Sequence, residues 1–289
     1  MNEILAAIMN LSTLVFVVTG MLAIGLSLTI PQIVAPLRNT RLVILALLAN
    51  FVLVPLLAYL IGSIIPLSDG LRVGLILVST AAGAPFLPKL AQAARGNIAL
   101  SVGLMVLLMV TTVLYMPIML PLLIQGVTVN PWDIARSLIV LMLIPLAVGL
   151  FIKARYSPTA GQLQPYMAQA STFALVLLLV AGLLSNLSAM LDIVGTGGFI
   201  AALLFLAGTF AIGYFLGGKD AQTRSVLGLG TAQRNLAAAL VVATANFADN
   251  PDVTMMVLTL GLVGLAVLML AAGELGRRAK SSVADLSEA

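Results

Sequence analysis

Apolar runs of about 20 residues recur from one end of this chain to the other, and an α-helix needs roughly that many to cross the hydrocarbon of a bilayer. Of the 289 residues, 61% are hydrophobic and only 8% are charged, which lies far outside the range of a soluble globular domain. The fold class that follows is an all-α polytopic membrane protein, with residues 1–289 forming a single membrane domain. A start of Met1-Asn2-Glu3 lacks the basic stretch of a cleaved signal, so the first helix is expected to stay in the mature protein.

Hydropathy and punctuation predict nine crossings: 8–30, 41–65, 71–94 (interrupted), 96–124, 132–153, 165–186, 195–217, 222–247 (interrupted) and 252–273. The distribution of cations then orients the chain. Arg38, Arg41, Arg95, Lys153, Arg155, Lys219, Arg224, Arg277, Arg278 and Lys280 fall on one side. Arg72 and Arg136 fall on the other, together with Asp69, Asp133, Asp192, Asp249 and Asp252. The N-terminus is expected outside and the C-terminus inside, with 276–289 as a cytoplasmic tail. The style of composition and the short loops point to a bacterial inner membrane. The net charge of +4 belongs mostly to loops at one face, so no nucleic-acid partner is expected.

Two cations lie inside apolar segments without a carboxylate at similar depth: Lys89 in S-T-A-A-G-A-P-F-L-P-K-L and Arg234 in G-L-G-T-A-Q-R-N-L. A charge within a membrane segment is costly and marks function by default. Lys89 is six residues from Arg95 and its stem can reach a headgroup region. Arg234 is about a dozen residues from Arg224, near mid-membrane at 1.5 Å per residue. Both cations sit where Gly, Pro or polar residues break a helix. Pro85 and Pro88 remove backbone donors, and a helix broken in lipid is tolerated only where protein or a wet cavity satisfies the freed groups. Broken helices at corresponding places in two halves mark the substrate site of a secondary transporter. This suggests a first repeat over 1–124 and an inverted second repeat over 125–275.

Further candidates are polar groups on otherwise apolar helices: Asn50, Thr80, Asn97, Ser101, Thr111, Thr112, Thr231, Gln233, Asn235 and Asn246. A Ser or Thr hydroxyl is often satisfied by the preceding turn of its own helix, whereas the amides of Asn50, Gln233 and Asn235 need partners in lipid. The chain has no His and no Cys, which removes nucleophile–base pairs, haem ligation and most metal sites. No catalytic residue, metal site or cofactor is expected, and the chain is not expected to be an enzyme.

The run A-R-G-N-I-A-L-S-V (94–102) after a Gly/Pro-rich break resembles the fourth-to-fifth helix junction of the bile acid:sodium symporter family, within the bile/arsenite/riboflavin transporter superfamily. G-L-S-L (25–28), L-A-N-F-V-L-V-P-L-L-A-Y (48–59) and G-T-A-Q-R-N-L-A-A-A-L (230–240) add to the resemblance, which covers nearly the whole chain. It implies a panel domain and a core domain, two inverted repeats, and two broken helices crossing behind a substrate cavity. The first helix of the ten-helix family plan has no counterpart here.

The same resemblance implies sodium ligands that this chain has changed. An ungapped alignment puts Leu87 and Pro88 at a Ser-Asn pair, Gly228 at a shared glutamate, Ala232 and Asn50 at two glutamines, and Met105 at a hydroxyl, while Ser101 is kept. Gln233 recovers a glutamine if one residue is gapped, but no shift supplies a carboxylate. Sodium sites want several oxygen ligands and negative charge. The expectation is therefore a transporter or facilitator of a small organic anion by alternating access, sodium-independent, with Lys89 and Arg234 replacing bound cations. The alternatives are a sodium-coupled organic-anion symporter with altered ligands, and a non-transporting sensor or channel on the same fold. The expected partners are the substrate anion and lipid; the sequence fixes neither substrate identity nor oligomeric state.

Overall fold

The computed structural model describes residues 2–124, 131–185 and 195–288. Expectations that involve Asp192, the end of the 165–186 crossing and the 124/125 repeat boundary lie outside these residues. The described chain is a succession of helices: α1 (Asn2–Ser27), α2 (Ile30–Val34), α3 (Thr40–Ile64), α4 (Asp69–Thr80), α5 (Leu87–Ala93), α6 (Ile98–Leu123), α7 (Pro131–Arg155), α8 (Ser157–Ser185), α9 (Gly198–Leu216), α10 (Ala221–Ala232), α11 (Leu236–Asn246) and α12 (Pro251–Glu288). Among the described residues there is no strand.

Several starts carry a side-chain cap, which satisfies one of the orphan N–H groups at a helix N-terminus. Asn39 accepts from Leu42 N, Ser68 from Leu71 N, Asn97 from Leu100 N and Asp220 from Thr223 N. The A-R-G-N junction between α5 and α6 is a tight reversal. Arg95 takes a left-handed φ of +52°, Gly96 N–H returns to Ala91 O at 2.8 Å, and Asn97 caps the next helix.

Seven spans of the described chain are long and apolar enough to cross a membrane: α1, α3, α6, α7, α9, the interrupted pair α10 and α11 taken together, and α12. They coincide with seven of the predicted crossings. The α4–α5 pair, whose halves are short, and α8 stand outside that set. The last helix runs on to Glu288 instead of stopping near 273. Its polar extension carries Arg277 and Arg278 paired with Glu274 one turn earlier, a spacing that supports a helix in water.

The helices divide by what they face. Along α6, Leu114, Ile118 and Leu122 are exposed at four-residue intervals, one apolar ridge turned to lipid. By contrast α10 and α11 are buried almost throughout; Val226, Leu227, Leu229 and the run Ala237–Ala243 are at most 3% exposed. The element that carries Arg234 is thus the centre of the molecule.

Both predicted interruptions are present, and they meet. α4 stops at Thr80 and α5 starts at Leu87; α10 stops at Ala232 and α11 starts at Leu236. Asn235 N–H donates to Ala81 O at 2.9 Å and Asn235 Nδ2 to Gly83 O at 3.1 Å. Thr112 of α6 donates its hydroxyl to Ala82 O at 3.0 Å and accepts from Ala82 N–H at 2.9 Å. Gly83 has φ +80° and packs on the backbone of Met105 and Met109, so neither the turn nor the space admits a side chain.

Gly83→Ala should therefore cost about 3 kcal/mol or more, from strain and from displacement of α6. Gly161→Ala on α8, where a Cβ meets nothing within 4 Å, should change stability by less than about 1 kcal/mol. Thermal unfolding of both purified variants in detergent checks the contrast; equal midpoints would refute the tight approach at Gly83.

Candidate functional site

A helix that ends leaves its last carbonyls without intrahelical partners, and its C-terminus is the negative end of the helix dipole. α4 and α10 end side by side, and Arg234 closes both. Its Nε donates to Val78 O at 3.2 Å, Nη2 to Ser79 O at 2.6 Å, and Nη1 to Thr231 O at 3.1 Å and to Asn50 Oδ1 at 2.7 Å. Arg234 is 6% exposed. Among the described residues the ion pairs are those of Glu274, so this guanidinium is held by carbonyl oxygens, an amide oxygen and helix ends rather than by a carboxylate.

Asn50 reaches the guanidinium because α3 is deformed where it stands. Ala49–Leu53 form a π-helical segment directly before Val54-Pro55, and such bulges re-aim side chains at functional places. Pro55 has no N–H, so the Phe51 carbonyl four residues earlier lacks its α-helical donor. Tyr115 of α6 supplies one, with Oη to Phe51 O at 2.6 Å. The Asn50 amide is fully engaged: Nδ2 donates to Ala46 O at 2.9 Å and to Thr231 Oγ1 at 3.3 Å, which turns Oδ1 toward Arg234. A second π segment, Ile139–Leu143 in α7, likewise precedes a proline, Pro145.

Beside this junction lies a cavity of about 580 Å³ bordered by α1, α8, α12 and both helix breaks. Its walls are mostly apolar. Pro88, Lys89, Gln233 and Arg234 line it. Lys89 projects from α5 as an exposed side chain, with Nζ 5.5 Å from the centre of the Phe86 ring. Gln233 has its Oε1 buried without a hydrogen-bond partner among the described residues.

The ten predicted residues separate into three groups. Lys89, Pro88, Gln233 and Arg234 share the cavity wall, and Asn50, Thr231 and Asn235 form the bonded frame behind it. Thr80 and Ser101 spend their hydroxyls on Leu77 O and Ile98 O of their own helices. Asn97 is an exposed cap, away from the cavity. Thr111 and Asn246 also bond their own helices, whereas Thr112 secures the first break. Sequence reasoning missed Tyr115 and the α8 wall with Gln164, Ser171 and Thr172. The signals were a proline with its freed carbonyl and a polar stripe at helical spacing.

Residues 13–193 match the sodium bile acid symporter family. This chain belongs to that family. The membership joins the transporter architecture to the cavity, and the family is one of transporters rather than enzymes. The chain is 26% identical over 196 residues to "Probable sodium/metabolite cotransporter BASS3, chloroplastic" of Arabidopsis thaliana, covering 68% of this chain and 46% of that protein. It is 29% identical over 197 residues to the BASS2 protein of the same description in Oryza sativa, covering 68% and 47%. With the "Uncharacterized sodium-dependent transporter YocS" of Bacillus subtilis it shares 25% over 241 residues, covering 78% and 72%. The chain thus spans about half the length of the plant relatives it matches.

Within this family member, the position that the ungapped alignment gives to a sodium-binding glutamate is Gly228. A Cβ there would lie 3.1 Å from Tyr214 Cβ and 3.2 Å from Phe210 Cε2, so a side chain at this place requires its α9 neighbours to give by a few tenths of an ångström. The oxygens that converge at the crossing, from Val78, Ser79, Thr231 and Asn50, face the guanidinium instead.

Asn50→Ala and Arg234→Ala should each lower stability, because each leaves buried polar partners unsatisfied. Together they should cost less than the sum, with a coupling of about 1–3 kcal/mol. A double-mutant cycle by thermal unfolding measures it, and strict additivity would show that the 2.7 Å bond carries nothing.

Proposed function

We propose that this protein is a secondary transporter or facilitator of a small organic anion, working by alternating access and independent of sodium. The observation that carries the reading is the guanidinium of Arg234 enclosed by the oxygens of two broken helices, next to an apolar cavity that holds Lys89. Those oxygens are the ligand type a sodium ion wants, and here a covalently attached cation engages them. Four of the five guanidinium N–H groups are spent on the crossing, which leaves Lys89 as the mobile positive charge for the substrate's anionic group. The two cations then divide the work: Arg234 holds the crossover together and Lys89 attracts the anion.

The same reading assigns 1–124 and 125–275 to inverted repeats and puts the N-terminus outside. In that orientation the cavity is lined by the inner half of α1, from Phe16 to Leu28, and by the first half of α8, from Gln164 to Val176, so it opens toward the cytoplasm. A bacterial inner membrane fits this topology. A second reading, a sodium-coupled metabolite symporter with altered ligands, is favoured by the printed names of the relatives.

Uptake of a panel of small organic anions into proteoliposomes separates the two. On our reading transport proceeds equally with and without a sodium gradient, Lys89→Ala lowers its rate at least about tenfold, and Lys89→Arg restores most of it. Uptake that rises with an inward sodium gradient would establish the second reading, and a Lys89→Ala protein with wild-type rates would remove Lys89 from the site.

A further inference from the structure

Away from the crossing, a second pocket of about 350 Å³ lies where α3 ends and α4 begins, lined by Tyr59, Gly62, Ser63, Pro66, Arg72 and Ile76 among others. Arg72 is the charged group in it, exposed, and makes no hydrogen bond or ion pair among the described residues. Asp69, one turn earlier on α4, does not pair with it, and among the described residues no carboxylate lines the pocket. A guanidinium has five N–H donors in a planar fork suited to phosphate and carboxylate, and here none of the five is spent on a described residue.

The pocket is shaped around that side chain. Gly62 lies under the Arg72 stem, where a Cβ would come 3.2 Å from Arg72 Cγ. Ser63 gives its hydroxyl proton to Leu60 O, which leaves Tyr59 and Arg72 as the side-chain donors. The opening faces sideways: Tyr59 is 65% and Ile64 72% exposed, in line with exposed Leu56 and Leu60 on the same wall of α3. That wall belongs to a membrane-spanning helix at its last turn, the level at which Tyr and Arg meet lipid headgroups.

We propose that this pocket binds the phosphate of an anionic phospholipid headgroup, with Arg72 as its cationic clamp and the Tyr59 hydroxyl as a second donor. The apolar wall of Leu56, Leu60 and Ile64 takes the acyl chains, which distinguishes a lipid from a free phosphate ion. The site requires only that the chain sit in a bilayer, so it stands apart from the transport reading.

The test is a thermal-shift titration of the full chain in detergent with short-chain phosphatidylglycerol, the matching diacylglycerol and sodium phosphate. The proteins compared are wild type, Arg72→Gln, Arg72→Lys, Tyr59→Phe and the exposed-cation control Arg136→Gln. Phosphatidylglycerol should raise the melting temperature of wild type and Arg136→Gln alike, and its half-maximal concentration should rise about tenfold or more in Arg72→Gln. Arg72→Lys, which keeps the stem and charge but loses the fork, should fall between, and it carries the comparison if Arg72→Gln does not fold. Equal responses of the Arg72 and Arg136 variants, or a diacylglycerol as effective as the phospholipid, would overturn the site. Sodium phosphate matching the lipid's shift at equal concentration would overturn the lipid as the source of the phosphate.

Discussion

The centre of this molecule depends on one buried guanidinium. Two helices end inside the protein, and each ending would leave carbonyl oxygens without donors in a place where water cannot be relied on to supply them. Arg234 meets Val78, Ser79 and Thr231 at once, and the positive charge is itself stabilised by the negative ends of the helices it closes. Neither the charge nor the breaks would be tolerable alone. The cost of burying the cation and the cost of interrupting two helices offset one another, which is why both features occur in the same few residues.

A chain of local consequences spreads from that junction. Pro55 removes a donor, α3 widens to a π turn, Tyr115 takes the freed Phe51 carbonyl, and Asn50 is turned inward to meet the guanidinium. Thr112 and Asn235 do the same service for the irregular backbone of residues 81–83. The frame behind the cavity is therefore bonded through side chains from α3, α6 and α11, while the opposite wall, α1 and α8, is tied by the Ser171 hydroxyl to Phe16 O at 2.9 Å. Core and wall are each internally bonded, and the cavity lies between them.

Much of this was legible in the sequence, because membrane helices announce themselves by length and because a lone charge in an apolar run has few places to go. The two breaks were visible as Gly83, Pro85 and Pro88, and as the polar run Gln233-Arg234-Asn235. The surroundings of the two cations were not. Sequence spacing sets Arg234 near mid-membrane and Lys89 within reach of a headgroup region, and only the fold shows that one faces oxygens of the backbone and the other lines a cavity. Thr80 and Ser101 looked like ligands because they are hydroxyls near a break; a hydroxyl can bond the turn before it, and spacing alone does not tell which choice it makes. Tyr115 was invisible because its partner is a backbone carbonyl 64 residues away in the chain.

A positive charge that belongs to the polypeptide has a thermodynamic character different from that of a bound ion. An ion picked up on one side and released on the other transfers the free energy of its own gradient to whatever travels with it. A residue such as Arg234, in the alternating-access cycle proposed above, would return to its starting place each time and perform no net work. A carrier built around such a residue keeps the electrostatics of a loaded ion site without its motive force. On the proposed sodium-independent reading, and with no other ion coupled, a substrate would run down its own electrochemical gradient, in whichever direction that gradient points.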